Sequence, residues 1–567
     1  MRCPAILLDS APLRVIPCLC LAMLIVAWPL TAAEPPAQER HGMVVAVSPP
    51  AAEVGRDVLK QGGNAVDAAA ATAFAEAVTW PGAGNIGGGG FMLIYPGGKA
   101  EPVVIDYRET APLAATKTMF TRKDDSYSPK SVGVPGTVAG LALAHSRFGK
   151  LPWKDVVMPA VKLAEDGFVI DEALASSLNS VLGSSKDNAE LQRVLGKDGG
   201  QSRWRSGDRL MQPDLAKTLR RIAENGADGF YQGGTADLLA AEMNADGGII
   251  TKQDLDGYKA KVRAPIHGTY RGYDIYAPPP PSSGGICLVE MLNILENYDL
   301  RKNDRWSPQT LHVLIEAMRR AYCDRARYLG DSDFVKIPDS LISKDYAKQL
   351  AAGIDPNKAT PSADLAKEVP LTPEGEDTTH FSVIDADGMA VSNTYTLENL
   401  YGCRIMVKGA GFLLNNEMSD FNWFPGETTT KGRIGTEPNQ IAPGKRMLSS
   451  QCPTIVARDG KVLLATGSPG SRTIINTVVC LVVNVIDFDM DVRAAVDAPR
   501  LHHQWFPDEV KFEGMAEYPD VVKRLKEKGY IVISGKQGDA HTIWVNPKTG
   551  EYVGAEDRRV DGKAAGY

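Results

Sequence analysis

Two threonines in one short stretch carry the most chemistry in this 567-residue sequence. They lie in "GEDTTHFSVIDADGMAVSNTYTLENLYG", residues 375–402, which reads as a tight hairpin around "ADG". Thr378 starts the first strand, directly after an acidic loop. A short loop near Ala386 to Gly388 sets Thr378 opposite Tyr395 or Thr396, so the hydroxyls of Thr378 and Thr396 can approach each other. Threonine is also common β-branched strand filler, so the pattern alone does not separate a site from a scaffold. A threonine hydroxyl is a poor nucleophile without a base. A free α-amine on the same residue is one solution. An internal threonine gains that amine only if the chain is cut just before it, and the Asp377–Thr378 bond stands where a polar, proline-rich stretch meets a strand.

The elements that must position this hairpin follow from periodicity. "PAAEVGRDVLKQGGNAVDAAAATAFAEAVTW", residues 50–80, alternates helix signals with a Gly-Gly break, and Ala65 to Val78 predicts a tightly packed buried helix. Residues 140–260 read as a series of amphipathic helices. "APPPPSSGG" interrupts the chain before the helical "ICLVEMLNILENY" and "LHVLIEAMRRAYCDRARYLG". Residues 355–377 are polar, with four prolines and no periodicity, and predict an exposed linker. Beyond Thr378 the expected strands are "GFLLNN", "PTIVARDGKVLLATG", "KFEG", "YIVIS" and "HTIWVN", with one helix, "RTIINTVVCLVVNVID". Helices early and strands late imply layered α+β or αββα packing.

Several other signals exclude more than they propose. Net charge is −7 and no basic patch carries interleaved aromatics, which argues against a nucleic-acid partner. Arg2 and Arg14 flank the start of an apolar run over residues 15–30, followed by Thr31-Ala32-Ala33. That layout is a secretory signal peptide ending at residue 33, since the run falls short of the roughly 20 residues of a spanning helix. A retained anchor is the other reading. Cys287, Cys323, Cys403, Cys452 and Cys480 are scattered in apolar surroundings and read as buried thiols. His502-His503 are adjacent on a strand, point to opposite faces and make a poor metal pair. Gly82, Gly84 and Gly87 spell G-x-G-x-x-G, but the helix precedes and the strand follows, the reverse of a dinucleotide site. A tight turn into a core strand is the better reading.

With these residues in view, the sequence resembles the γ-glutamyltranspeptidases (γ-glutamyltransferases) of the N-terminal nucleophile hydrolase superfamily. The matching segments run in family order: "GGNAVDAAAATAFAEAVTWPGAGNIGGGGFML", "IDYRETAP", "PPPPSSGG", "DTTHFSVIDADGMAVSNTYTL", "GFLLNNEMSDF", "GKRMLSSQCPTIV" and "TGSPGSRTI". The resemblance implies an αββα sandwich made from one autocleaved precursor: a signal peptide over residues 1–33, a large subunit over 34–377 and a small subunit over 378–567. It implies Thr378 as nucleophile and Thr396 as its hydroxyl partner. Arg108 would grip the donor's α-carboxylate, a group a guanidinium fork fits; taken alone, Arg108 would pair with Asp106 or Glu109 at a surface. Ser449 and Ser450 would add carboxylate-binding donors. Glu398, Glu417 and Asp420 would receive the α-ammonium, on the side opposite Arg108. Glu398 stands where many members carry asparagine. Gly470 and Ser471 would donate backbone N–H groups to an oxyanion, although most relatives have Gly-Gly there and a serine forced to positive φ would be strained. Residues 425–446 match the lid loop of some members, with Lys431 at the position that often carries an aromatic.

The chemistry so implied needs no cofactor and no metal. The partners are a γ-glutamyl donor such as glutathione, an amino acid or dipeptide acceptor, and the chain's own two fragments. The expected location is the periplasm or the exterior. Two other readings stay open: a glutaryl or cephalosporin acylase with the same nucleophile, and a secreted solute-binding protein that never cuts itself.

Overall fold

The computed structural model describes residues 36–98, 100–366, 372–373, 379–560 and 562–567. The expected signal segment, Asp377 and Thr378 lie outside the described residues. Two seven-stranded antiparallel sheets form the centre. The first runs in the order Lys563–Gly566, Gly42–Ala46, Thr379–Asp385, Ala390–Thr396, Gly89–Tyr95, Val103–Asp106 and Lys261–Arg263. The second runs Ala37–Glu39, Tyr552–Ala555, Thr542–Val545, Lys461–Thr466, Thr454–Arg458, Tyr273–Ala277 and Ile266–Tyr270.

Strand alternation explains the layering. Met43 and Val45 point into the space between the sheets with Phe91, Leu93, Ile384, Ile455 and Ile543. Val44 and Ala46 point the other way, with Met92, Phe381, Val383 and Tyr395, onto a layer of helices that includes Ala65–Thr79 and Trp153–Asp166. Helices Gly284–Leu295, Pro308–Tyr328 and Thr473–Ile486 cover the second sheet through Val456, Leu464, Ile475 and Val479. The result is an αββα sandwich whose strands are apolar on both faces. Each large side chain so buried contributes about 1.5–3 kcal/mol.

The predicted buried helix is Ala65–Thr79. Every one of its residues is buried, and Asn64 and Asp67 close it with a capping box. The hairpin pairs Thr379 with Tyr395 and Ile384 with Ala390. Asp385 accepts the amides of Asp387 and Met389, and Gly388 takes φ +80° to complete the turn. The glycine-rich run after Trp80 turns into the core strand Gly89–Tyr95. Its later glycines leave no room for side chains: a Cβ on Gly87 would meet the Leu413 carbonyl at 2.0 Å, and one on Gly88 the Thr396 carbonyl at 1.9 Å.

Two expectations change. "GFLLNN" is not a strand: it contributes a single bridge, Met406 to Leu413, after which the Asn415 backbone amide turns to the Gly87 carbonyl and its side chain donates to the Gly87 and Gly133 carbonyls. The stretch read as exposed linker is anchored at its start. Ser362 is fully buried, its amide donating to Asp508 and its hydroxyl accepting from Arg319. Further on, Thr372–Pro373 pairs antiparallel with Gly432–Arg433. Among the described residues no helix is long and apolar enough to cross a membrane. All five cysteines described are buried free thiols.

Candidate active site

The site forms at the end of the hairpin. Ala390–Thr396 runs beside Gly89–Tyr95, and Asn85 fixes its last residue by donating to the Thr396 carbonyl at 2.9 Å. The Thr396 hydroxyl accepts the Glu398 amide at 2.8 Å. That bond folds the chain sharply, and Glu398 sits at φ +76°, a left-handed conformation that costs a non-glycine residue about 1 kcal/mol or more. The turn brings the Glu398 carboxylate within 4.8 Å of those of Glu417 and Asp420.

Arg108 supplies the positive charge. It follows strand Val103–Asp106 and is 1% exposed, so it is not a surface arginine. Its guanidinium pairs with Glu417 at 2.5 Å, with Asp420, and with Glu109 at 3.6 Å. The Tyr258 hydroxyl donates to its backbone carbonyl at 2.8 Å. Arg108 and the acidic set therefore touch, rather than standing on opposite sides as the resemblance implies. Buried charges of opposite sign must pair, because each alone would cost several kcal/mol.

Burial would lower the pKa of Arg108, but Glu417, Asp420, Glu109 and Glu398 outweigh it and raise the value. The same burial pushes Glu417 well up, with Glu109 and Asp420 adding to the rise and Arg108 opposing it. Glu109 is pushed up to about 8, also by burial. One guanidinium thus faces more carboxyls than it can neutralise, and part of the set holds protons at neutral pH.

The two serines expected to bind a carboxylate, Ser449 and Ser450, arrive from another element. The Ser449 amide donates to Pro281, and the Ser283 hydroxyl donates to the Ser449 carbonyl at 2.6 Å, which ties "MLSSQ" to "PPPPSSGG". The Ser450 hydroxyl accepts from Arg325 at 3.0 Å. The candidate oxyanion loop lies between strand Lys461–Thr466 and helix Thr473–Ile486. Gly470 takes φ +115° and Ser471 φ +50°, so the serine does sit in the strained left-handed region. Their amides precede the first helical turn, where N–H groups have no intrahelical acceptor and attract negative charge.

A cavity of about 230 Å³ unites these residues. Arg108, Thr396, Glu398, Asp420, Ser449, Ser450 and Ser471 line it; Glu417 and Gly470 do not. Lys431 is exposed and absent from the lining. Trp423 and Phe424 supply the aromatic wall instead. Trp423 stacks on Phe120 at 3.8 Å, and Phe424 is flanked by Arg122 and Arg433 at 4.2 and 4.7 Å. Arg325, Arg433 and Arg472 also line the cavity and were not expected. Arg325 lies on an amphipathic helix, where nothing in the pattern marks one arginine out. Arg472 directly follows the oxyanion candidates and could have been found by that adjacency. His502 and His503 bond to separate partners, Asn476 with Gln504 and Asp508.

Residues 51–567 match the family profile described as gamma-glutamyltranspeptidase. The chain belongs to the γ-glutamyltranspeptidase family. A glutathione hydrolase proenzyme of Escherichia coli is 47% identical over 545 residues, 94% of this chain and 93% of that protein. The crystal structure of Helicobacter pylori γ-glutamyltranspeptidase superposes with a TM-score of 0.54 at 44% identity, covering 57% of this chain and 94% of the other. A cephalosporin acylase from Bacillus halodurans superposes with a TM-score of 0.84 at 27% identity, covering 96% and 98%. The γ-glutamyltranspeptidase fold thus hosts a second acyl-transfer specificity, and the binding residues must separate the two.

Proposed function

We propose that this γ-glutamyltranspeptidase is a secreted, periplasmic enzyme that cuts itself at Asp377–Thr378 and then transfers or hydrolyses the γ-glutamyl group of glutathione and related amides. In self-cleavage the Thr378 hydroxyl attacks the Asp377 carbonyl, the bond shifts to an ester, and water releases residues 34–377. Thr378 then carries both a hydroxyl and a free α-amine, whose ordinary pKa of about 8 suits a general base near neutral pH.

In turnover the Thr378 hydroxyl attacks the γ-carbonyl and loses its proton to that amine. The Gly470 and Ser471 amides hold the oxyanion. Collapse expels the leaving amine, which takes the proton, and leaves a γ-glutamyl ester. Water then yields glutamate, or an acceptor amine yields a new γ-glutamyl amide. Thr396 orients the nucleophile. Arg108, Ser449 and Ser450 hold the α-carboxylate, and Glu398, Glu417 and Asp420 hold the α-ammonium.

The observation that carries this reading is the meeting of one guanidinium and three carboxylates beside Thr396. Such a set fits a zwitterion. A glutaryl acyl group has a carboxylate but no ammonium, and would leave the acids unmatched. Comparing γ-glutamyl and glutaryl amides of the same amine tests it. The γ-glutamyl amide is expected to have a kcat/KM higher by about a hundredfold or more. Equal or better turnover of the glutaryl amide would make the protein an acylase.

A further inference from the structure

Arg325 lines the cavity, is only 8% exposed and has no role in the reaction as derived. It projects from the last turn of helix Pro308–Tyr328. Among the described residues its guanidinium makes two hydrogen bonds, and both end on hydroxyls. Nε donates to Ser283 at 2.9 Å, and Nη2 to Ser450 at 3.0 Å. One edge of one guanidinium thus joins "PPPPSSGG" to "MLSSQ".

A guanidinium can only donate, and a hydroxyl has a single proton of its own. Each serine oxygen that accepts from Arg325 must therefore send its proton elsewhere. Ser283 shows the outcome: its hydroxyl donates to the Ser449 carbonyl at 2.6 Å. Ser449 is set the same way by another group, since its Oγ accepts the Gln451 amide at 3.0 Å. Ser449 and Ser450 both line the cavity, and among the described residues neither hydroxyl proton has an acceptor. Two neighbouring O–H groups are thus held as donors at the cavity wall. A carboxylate, which only accepts and has two oxygens, matches them.

We propose that Arg325 is a positioning residue for donor binding: by obliging Ser450 to accept, it fixes that hydroxyl as a donor to the α-carboxylate of the γ-glutamyl group. The inference rests on the γ-glutamyl reading and deepens it. Without Arg325 the Ser450 hydroxyl would be a free rotor, as ready to accept as to donate, and ordering it would weaken its bond to the anion. The guanidinium also polarises the O–H group it donates to, which strengthens the onward hydrogen bond. The same fork holds Ser283, whose amide at 2.8 Å and hydroxyl both donate to the Ser449 carbonyl. Arg325 therefore steadies the backbone that carries both serines, and it acts on the donor through Ser450.

The test is a double-mutant cycle on the purified, autocleaved enzyme, with KM and kcat measured for glutathione in the parent, Ser450→Ala, Arg325→Met and the double variant. In the parent background Ser450→Ala should raise KM about tenfold or more, as loss of a hydrogen bond to a charged group does. In the Arg325→Met background the same change should raise KM less than about threefold, because the two residues act as a unit. A merely structural role for Arg325 would lower kcat or the yield of active enzyme and leave the two factors equal. If Arg325→Met does not fold or cut itself, Arg325→Lys takes its place. Its single ammonium lacks the fork that grips both hydroxyls, and it should shrink the Ser450→Ala factor by about threefold. Equal factors in the two backgrounds, or an unchanged KM for Ser450→Ala in the parent, overturns the role of Arg325 and leaves the γ-glutamyl reading standing. A parent that turns over no γ-glutamyl amide overturns both.

Discussion

Arg108 concentrates the physics of the site in one side chain. It is almost fully enclosed and balances Glu417, Asp420 and Glu109. Removing it strands buried carboxyls beside one another, which costs about 3–5 kcal/mol when a buried pair loses one member. Arg108→Ala should therefore lower the denaturation midpoint as well as raise KM for the donor; an unchanged midpoint with a raised KM would mean that the acids find other partners. The identity of Arg108 was legible because "DYRE" fits the family pattern. Its burial was not, since a single arginine between two acids reads equally well as a surface pair. Ser471 was legible as a site of strain from the missing glycine, and its φ of +50° agrees. Arg325 and Arg433 were illegible, because their place in the cavity depends on how a helix and a distant loop pack.

At the scale of elements, helix Ala65–Thr79 supports the hairpin from beneath and carries an unusual acid. Glu76 is fully buried and accepts from the Tyr395 hydroxyl at 3.1 Å. Burial pushes its pKa from 4.5 to about 8, only partly offset by that hydrogen bond. Folded Glu76 therefore keeps a proton that the unfolded chain releases near pH 4.5. Across that window the folded state binds more protons, so its stability falls as pH rises, by about 1.4 kcal/mol per unit for this group. Glu76→Gln removes the dependence. Thermal midpoints at pH 5 and pH 8 should show the variant gaining on the parent at the higher value, whereas a constant difference would mean that Glu76 does not hold its proton. The helix and hairpin were readable because their periods are strong and their caps and turn residues are local. "GFLLNN" misled for the opposite reason. Its apolar run looks like a strand, but Asn415 ties it to the distant Gly87 and Gly133 loops.

At the scale of the whole molecule, the proposed self-cleavage would not by itself release the fragments. Strands from both sides of Thr378 share each sheet: Gly42–Ala46 lies beside Thr379–Asp385, and Tyr273–Ala277 beside Thr454–Arg458. Neither fragment would hold a complete sheet, and the core between the sheets draws on both, with Met43 and Phe91 packed with Ile384 and Ile455. The layered class was legible from the change of character along the chain. This interleaving was not, because register between distant strands has no local signal. The most direct measurement is mass spectrometry with N-terminal sequencing of the purified, active protein under native and denaturing conditions. One particle should resolve on denaturation into two chains, the smaller beginning at Thr378, while Thr378→Ala should remain a single inactive chain. Activity in an uninterrupted polypeptide, or a smaller chain beginning elsewhere, would contradict the proposed chemistry at its root.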